Sequence, residues 1–209
     1  MHYHYYLLAS STAQIVSQRV ETSWPWYVIR AAGFVAVGLL ILLMLSGIGM
    51  VTGYTYRLFE PSKAWIIHKA LAFALAASVL IHVTFILFDH FVKFNLVQVL
   101  IPFTSTYKHS KLIGISVGSL SVALGILALY SIAIVILSSL GWIDSKKKTW
   151  KKIHYLNYFI IAAVFFHALY TGSDLSYGVF RMIWIFIGII LIIAILTRVW
   201  RAGTLRPKK

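Results

Sequence analysis

The sequence contains no cysteine. This absence excludes disulfide bonds, zinc–thiolate sites, iron–sulfur clusters and covalent haem attachment, because each of these needs thiols. Acidic residues are also scarce, with five aspartates and glutamates in 209 residues. None of the five lies in the middle of a long apolar run. This placement argues against an intramembrane proton relay, zinc hydrolysis and paired-carboxylate catalysis.

Nucleotide-binding motifs are absent as well. The nearest approach to a glycine-rich loop, Gly47-Ile-Gly49, lies inside an apolar run instead of between a strand and a helix. The chain is 60% hydrophobic and 11% charged, which is not the composition of a soluble domain. We therefore expect one helical membrane domain without an appended nucleotide-binding module. We also expect no cleavable signal peptide, because residues 1–27 lack a basic start followed by an apolar core.

Five apolar runs are long enough to cross a bilayer as α-helices, at about residues 28–52, 64–88, 112–139, 153–171 and 178–198. The predicted fold class is an all-α integral membrane protein, a bundle of five transmembrane helices. Residues 1–27 are predicted to form an N-terminal interfacial segment, which can include an additional helix. The membrane domain is predicted at 28–198 and a basic cytoplasmic tail at 199–209.

Positive charge orients the predicted bundle. Of the 19 lysines and arginines, 13 lie at the inner ends of the spans, in the loops 53–63 and 140–152 and in the C-terminal tail. The positive-inside rule makes this side cytoplasmic and places the N-terminus outside. Since the charges flank apolar runs, the expected partner of the +14 net charge is membrane lipid and not nucleic acid. The five lysines within 146–152 indicate an anchor, alone or with docking of an acidic cytosolic partner or screening of cofactor carboxylates.

Four histidines lie within the apolar runs: His68 and His82 in the second, and His154 and His167 in the fourth. The 14 residues from His68 to His82 correspond to about 21 Å of α-helix, and the 13 residues from His154 to His167 correspond to about 20 Å. These two spans are parallel, because one antiparallel span separates them. The expected pairs are therefore His68 with His154 near the inner face and His82 with His167 near the outer one. Two such pairs are what two bis-histidine haems require.

One feature of the spacing does not fit an ideal helix. Thirteen residues at about 100° each fall about 140° short of whole turns, so His154 and His167 do not share one stripe. Either the fourth helix is locally irregular, or two haems lie on different flanks of the helix pair. Three cations are candidate partners of haem carboxylates: Arg30 near the outer pair, which alternatively extends to the interface, and Lys69 and Lys151 near the inner pair.

The chain resembles the ferric reductase-like transmembrane domain family over about residues 24–200. The resemblance rests on the His68/His82 and His154/His167 spacings and on four motifs: Trp26-Tyr-Val-Ile-Arg30-Ala-Ala-Gly33, Ile101-Pro-Phe-Thr-Ser-Thr-Tyr107, Trp150-Lys-Lys-Ile-His154-Tyr and Thr171-Gly-Ser-Asp174. The last three are similar to stand-alone bacterial or archaeal members, which implies a cytoplasmic membrane of such a cell.

The resemblance implies a dihaem b-type cytochrome, the membrane electron-transfer subunit of an oxidoreductase. His68, His82, His154 and His167 would be the iron ligands. Oxidase members have six spans and a flavin and nicotinamide domain, whereas five spans and no such domain are expected here, so a separate cytoplasmic flavoprotein or a membrane quinol is the expected donor. The acceptor outside would be ferric iron, oxygen or a partner reductase. The alternative is a haem-free transporter or scaffold subunit with structural or proton-relay histidines.

Overall fold

The computed structural model describes the backbone of residues 2–108 and 111–204 and the side chains of 23–108 and 111–200. Seven α-helices lie in these ranges: α1 (His2–Thr52), α2 (Pro61–Ile86), α3 (Leu96–Leu100), α4 (Gly118–Trp142), α5 (Lys147–His154), α6 (Leu156–Thr171) and α7 (Gly178–Thr204). Two short antiparallel strands, β1 (Lys111–Leu112) and β2 (Ile115–Ser116), form a hairpin before α4.

Five segments are long and apolar enough to cross a membrane: Ser23–Thr52, Pro61–Ile86, Gly118–Trp142, Lys147–Thr171 and Gly178–Trp200. They confirm the predicted all-α bundle of five transmembrane helices. Helices suit this environment because they satisfy their backbone hydrogen bonds internally, where no water is present to do so.

One span boundary differs from the prediction. Helix α1 is continuous from His2 to Thr52, so residues 24–27 are helical and join the first candidate span without a break. The third span begins at Gly118, because the hairpin occupies residues 111–116 and turns through positive φ at Ile113 and Gly114. The side chains of the predicted interfacial segment up to residue 22, and of the predicted basic tail from residue 201, lie outside the described residues.

The bundle consists of two antiparallel helix hairpins and one covering helix. Helix α1 packs along α2, α4 packs along α5 and α6, and α7 contacts α1 and α6. A buried apolar core joins them at mid-height: Ala36, Leu40, Met44, Leu75, Ile132, Val135, Ile160, Ile161 and Leu191. This arrangement leaves α2 and α6 facing each other across the bundle, with each backed by its own partner helix.

The fourth span is interrupted at Tyr155. Helix α5 ends at His154 and α6 begins at Leu156. Tyr155 N–H donates to the Lys152 carbonyl at 3.3 Å, and Tyr158 N–H donates to the Tyr155 carbonyl at 3.1 Å. These i→i+3 bonds turn the chain by about 120° per residue instead of about 100°, which adds rotation between His154 and His167. Of the two alternatives left open by the sequence, the structure therefore has the locally irregular helix.

Candidate functional site

The four intramembrane histidines form two facing pairs at two heights of the bundle. The ring centroids of His68 and His154 are 6.4 Å apart near one end, and those of His82 and His167 are 6.4 Å apart near the other. These are the two pairs that the sequence predicted. Helices α2 and α6 run in the same direction, so equal spacings along each helix bring the rings to matching heights.

Three of the four rings hydrogen-bond through Nδ1 to a neighbouring helix. Nδ1 of His82 donates to the Ile29 carbonyl of α1, and Nδ1 of His167 donates to the Ser121 carbonyl of α4, each at 2.9 Å. A carbonyl only accepts, so in both rings Nδ1 carries the proton and Nε2 has a free lone pair. A histidine that binds a metal through Nε2 ordinarily makes such a hydrogen bond through Nδ1, because it fixes the tautomer and the ring orientation.

His68 is held in an equivalent way by a hydroxyl. Its Nδ1 lies 2.8 Å from Ser46 Oγ, and that hydroxyl donates its proton to the Leu43 carbonyl at 2.9 Å. The hydroxyl proton is therefore occupied, and Ser46 Oγ accepts from His68. Thus the α2 rings of both pairs are oriented by residues of α1.

His154 differs from the other three. Its Nδ1 is buried without a hydrogen-bond partner among the described residues. The ring is instead packed against Trp150, with centroids 5.0 Å apart, and Trp150 Nε1 donates to Ser139 Oγ of α4 at 3.0 Å. Packing by a tethered indole thus takes the place of the hydrogen bond that orients the other imidazoles.

Three glycines lie directly against histidine rings. A Cβ at Gly33 would stand 3.2 Å from His82 Nδ1, and one at Gly47 would stand 3.4 Å from His68 Cε1. On α4, a Cβ at Gly125 would stand 2.5 Å from Nδ1 of His167. Sequence reasoning did not connect these glycines with the histidines, although Gly33 and Gly47 repeat the 14-residue step of the α2 histidines on an antiparallel helix. At Gly125 the backbone approaches the imidazole more closely than a side chain would permit, and Gly33 leaves little room for one, whereas a Cβ at Gly47 would make an ordinary van der Waals contact.

The predicted cations lie near the two pairs but make other contacts. Arg30 forms an ion pair with Asp174, with Nε 2.8 Å from Oδ2, and its guanidinium lies 4.0 Å from the Trp26 ring centroid. Asp174 was not predicted from the sequence as the partner of Arg30. Lys69 is exposed, with Nζ 5.7 Å from the Trp65 ring centroid, and Lys151 is exposed on α5.

A family model described as ferric reductase like transmembrane component matches residues 32–166, well over half of the chain. The chain belongs to this family. The matched region contains His68, His82 and His154 and ends one residue before His167. No curated protein and no solved structure matches the chain. Membership in the ferric reductase-like family, together with five spans, identifies a multi-pass membrane component of the oxidoreductase type.

The ferric reductase-like family is known for haem-binding membrane domains, and the histidine pairs fit such a group. In both pairs the ring centroids are 6.4 Å apart. A metal ion at about 2 Å from one nitrogen of each ring would fit between two imidazoles at this separation. Within residues 23–108 and 111–200, no three histidine or carboxylate side chains gather around one point. A pair of ligands suits an iron whose remaining positions are filled by a porphyrin.

The region between the two pairs is closed by aliphatic side chains. Leu75 lies seven residues from both His68 and His82, so it shares their face of α2, and Ile160 lies seven residues before His167 on α6. Leu75 is 2% exposed and Ile160 is 1% exposed, and both belong to the central core. The two histidine pairs of this ferric reductase-like domain are therefore separated by a buried apolar layer.

Proposed function

We propose that this ferric reductase-like domain transfers electrons across the membrane as a dihaem b-type cytochrome. His68 and His154 would hold the inner haem, and His82 and His167 the outer one. The observation that carries the proposal is the 6.4 Å separation of the ring centroids in both pairs. The haem-free transporter or scaffold has no feature of comparable specificity to support it.

When bound, haem supplies reversible one-electron exchange between ferric and ferrous iron. The chain's part is to present two imidazoles that stay in place in both oxidation states. Hydrogen bonds from Nδ1 to Ile29, Ser121 and Ser46 fix three of the rings and raise the basicity of their Nε2 atoms. The apolar layer at Leu75 and Ile160 excludes water between the sites, which keeps protons and solvated ions out of the path.

Charge gives the proposed path its direction. The lysine-rich end of the bundle is proposed to face the cytoplasm, where Lys69 and Lys151 would neutralise carboxylates of the inner haem. Arg30 is the corresponding cation at the outer end, acting on those carboxylates directly or through its ion pair. The donor would be a separate cytoplasmic flavoprotein or a quinol, and the acceptor outside would be ferric iron, oxygen or a partner reductase. In this proposal residues 28–198 form the haem-binding membrane domain, residues 1–27 the interfacial segment before it and residues 199–209 the cytoplasmic tail after it.

The test is a count of haem groups in purified protein and in single-histidine variants. The wild type is expected to show the narrow α band of bis-histidine haem in a reduced-minus-oxidised spectrum, at two haems per chain. His167→Ala and His154→Ala are each expected to lose one haem, and a redox titration would show which potential disappears. His90→Ala is the matched control, because His90 is exposed in the outer connection and is expected to leave both haems in place.

The result that contradicts the proposal is a folded, membrane-inserted wild-type protein with no haem when haem is supplied. That outcome would favour the scaffold or transporter. One haem per chain, lost equally in His154→Ala and His167→Ala, would contradict the two-site form of the proposal.

A further inference from the structure

An ion pair joins α1, at Arg30 in the first part of its membrane span, to Asp174 in the α6–α7 connection. Arg30 donates through two nitrogens to both carboxylate oxygens of Asp174, and Nε to Oδ2 measures 2.8 Å. The two side chains are 31% and 24% exposed. Such a two-point contact fixes the orientation of a planar guanidinium as well as its distance. The Trp26 ring covers the guanidinium at 4.0 Å and restricts it further.

One side of this pair connects directly to His82. The carbonyl that accepts from His82 Nδ1 belongs to Ile29, the residue immediately before Arg30. Any rotation or axial shift of α1 at Arg30 therefore moves the group that orients the His82 ring. Gly33, one turn further along α1, lies against the same ring, so the ring is sensitive to small displacements of this helix.

The other side connects to His167. Thr171 Oγ1 donates to the His167 carbonyl at 2.6 Å, and Gly172 N–H donates to the Ala168 carbonyl at 2.9 Å. These bonds tie the end of α6 to the turn that carries Asp174. Leu175, the next residue, is buried among Leu169 and Trp184 and anchors the turn. A short series of covalent and hydrogen bonds thus connects the ion pair to His82 through Ile29, and another connects it to His167 through Thr171.

We propose that Arg30 and Asp174 form a positioning pair for the outer haem site. By fixing α1 to the end of α6, they hold the His82 and His167 rings at the separation that one iron needs. This inference rests on the proposed function. The positioning role differs from direct binding of haem carboxylates by Arg30, because it requires Asp174 as much as Arg30 for haem binding at the outer site.

The two roles predict different results for removal of Asp174. If Arg30 acts directly on haem carboxylates, Asp174→Asn frees the guanidinium and leaves the outer haem at least as tightly held. If the two residues act as a positioning pair, Asp174→Asn and Arg30→Gln weaken the outer site alike. The double variant would then be no worse than either single variant, because all three break one contact.

The experiment measures haem content, redox titration and low-spin EPR signals of the full chain for Arg30→Gln, Asp174→Asn and the double variant. Each is expected to hold the outer haem about tenfold more weakly, as is typical when a group that supports a metal ligand is removed. The outer EPR signal is expected to broaden, while the inner signal and its haem content stay unchanged. Glu60→Gln is the matched control, since Glu60 forms an exposed ion pair with Lys63 at 3.3 Å, at the opposite end of α2 from His82.

Three outcomes would overturn the inference. The first is an outer site unaffected by Asp174→Asn; if Arg30→Gln still weakens that site, Arg30 acts directly on the haem carboxylates. The second is loss of both haems together, which makes the pair a general support of the fold. The third is an additive effect in the double variant. Wild-type protein that binds no haem is a different result, because it contradicts the proposed function itself.

Discussion

Gly125 and His167 are packed so closely that a Cβ on the glycine would stand 2.5 Å from Nδ1 of the imidazole. The same nitrogen donates to the Ser121 carbonyl one turn earlier on α4. The His167 ring, which is the proposed ligand of the outer haem, therefore rests against the backbone of α4, and a methyl group at position 125 would displace it.

Gly125→Ala is expected to displace the His167 ring and to remove the outer haem. Overpacking of this kind costs about 1–3 kcal/mol, and here the ring cannot yield without losing its hydrogen bond. Gly38→Ala is the control, because a Cβ at Gly38 meets nothing within 4 Å and alanine favours the helix by about 1 kcal/mol. Haem content and thermal stability of both variants check the prediction. Retention of two haems in Gly125→Ala would contradict it.

Ser46→Ala is expected to raise the midpoint potential of the inner haem. The substitution removes the acceptor of the His68 Nδ1 hydrogen bond, so the imidazole becomes a weaker donor to ferric iron. A hydrogen bond of about 1 kcal/mol corresponds to a shift of up to about 40 mV for one electron. Ser131→Ala is the control, since this buried hydroxyl donates only to the Leu127 carbonyl on its own helix. A redox titration showing no shift, or a shift in both variants, would argue against the prediction.

Lys69→Gln and Lys151→Gln are each expected to lower the potential of the inner haem. A nearby cation favours the reduced haem, which carries one more negative charge, so its loss favours the oxidised form. Both lysines are exposed, and the shift should be smaller than that of Ser46→Ala and should shrink as ionic strength rises. The exposed outer Lys111 provides the control, as Lys111→Gln. If Lys111→Gln shifted the potential of the inner haem as much as Lys69→Gln and Lys151→Gln, Lys69 and Lys151 would not be specific partners of that haem.

The absence of cysteine makes the orientation testable with single-cysteine variants. Ser116 lies exposed in the hairpin, at the end of the bundle that is proposed to face outward, and Ser145 lies exposed between α4 and α5 at the opposite end. In intact cells, a membrane-impermeant maleimide is expected to label Ser116→Cys. Ser145→Cys should react only after the membrane is opened. The reverse labelling pattern would invert the proposed direction of electron flow.

The two histidine pairs were predictable from the sequence, because the depth of each histidine in the bundle follows from helix direction and from distance along the helix. Long apolar helices cross the bilayer in alternating directions, so α2 and α6 are parallel, and equal helical distances then fix equal heights. The interruption at Tyr155 was visible as a defect in periodicity, although the sequence did not decide between an irregular helix and displaced sites. The hairpin before α4 was missed, since residues 112–116 were interpreted as the start of the apolar run at 112–139.

The groups that surround the histidines were not predictable in the same way. Gly33, Gly47 and Gly125 belong to helices that are apolar on every side, because lipid and bundle core are equally hydrophobic. Hydrophobic periodicity then gives no signal of how each helix is rotated. Arg30 and its partner Asp174 are 144 residues apart in the sequence. No local sequence pattern connects the two residues.

The sequence by itself determined that this protein has five membrane spans and two levels of paired histidines, since length, hydropathy and alternation are sufficient for both. The tertiary structure decided which backbone each imidazole rests on, which groups bond its Nδ1 atom, and which cation is joined to which carboxylate. The physical reason is that depth in the membrane is set by distance along one helix. Rotation about the helix axis is set instead by packing against neighbours.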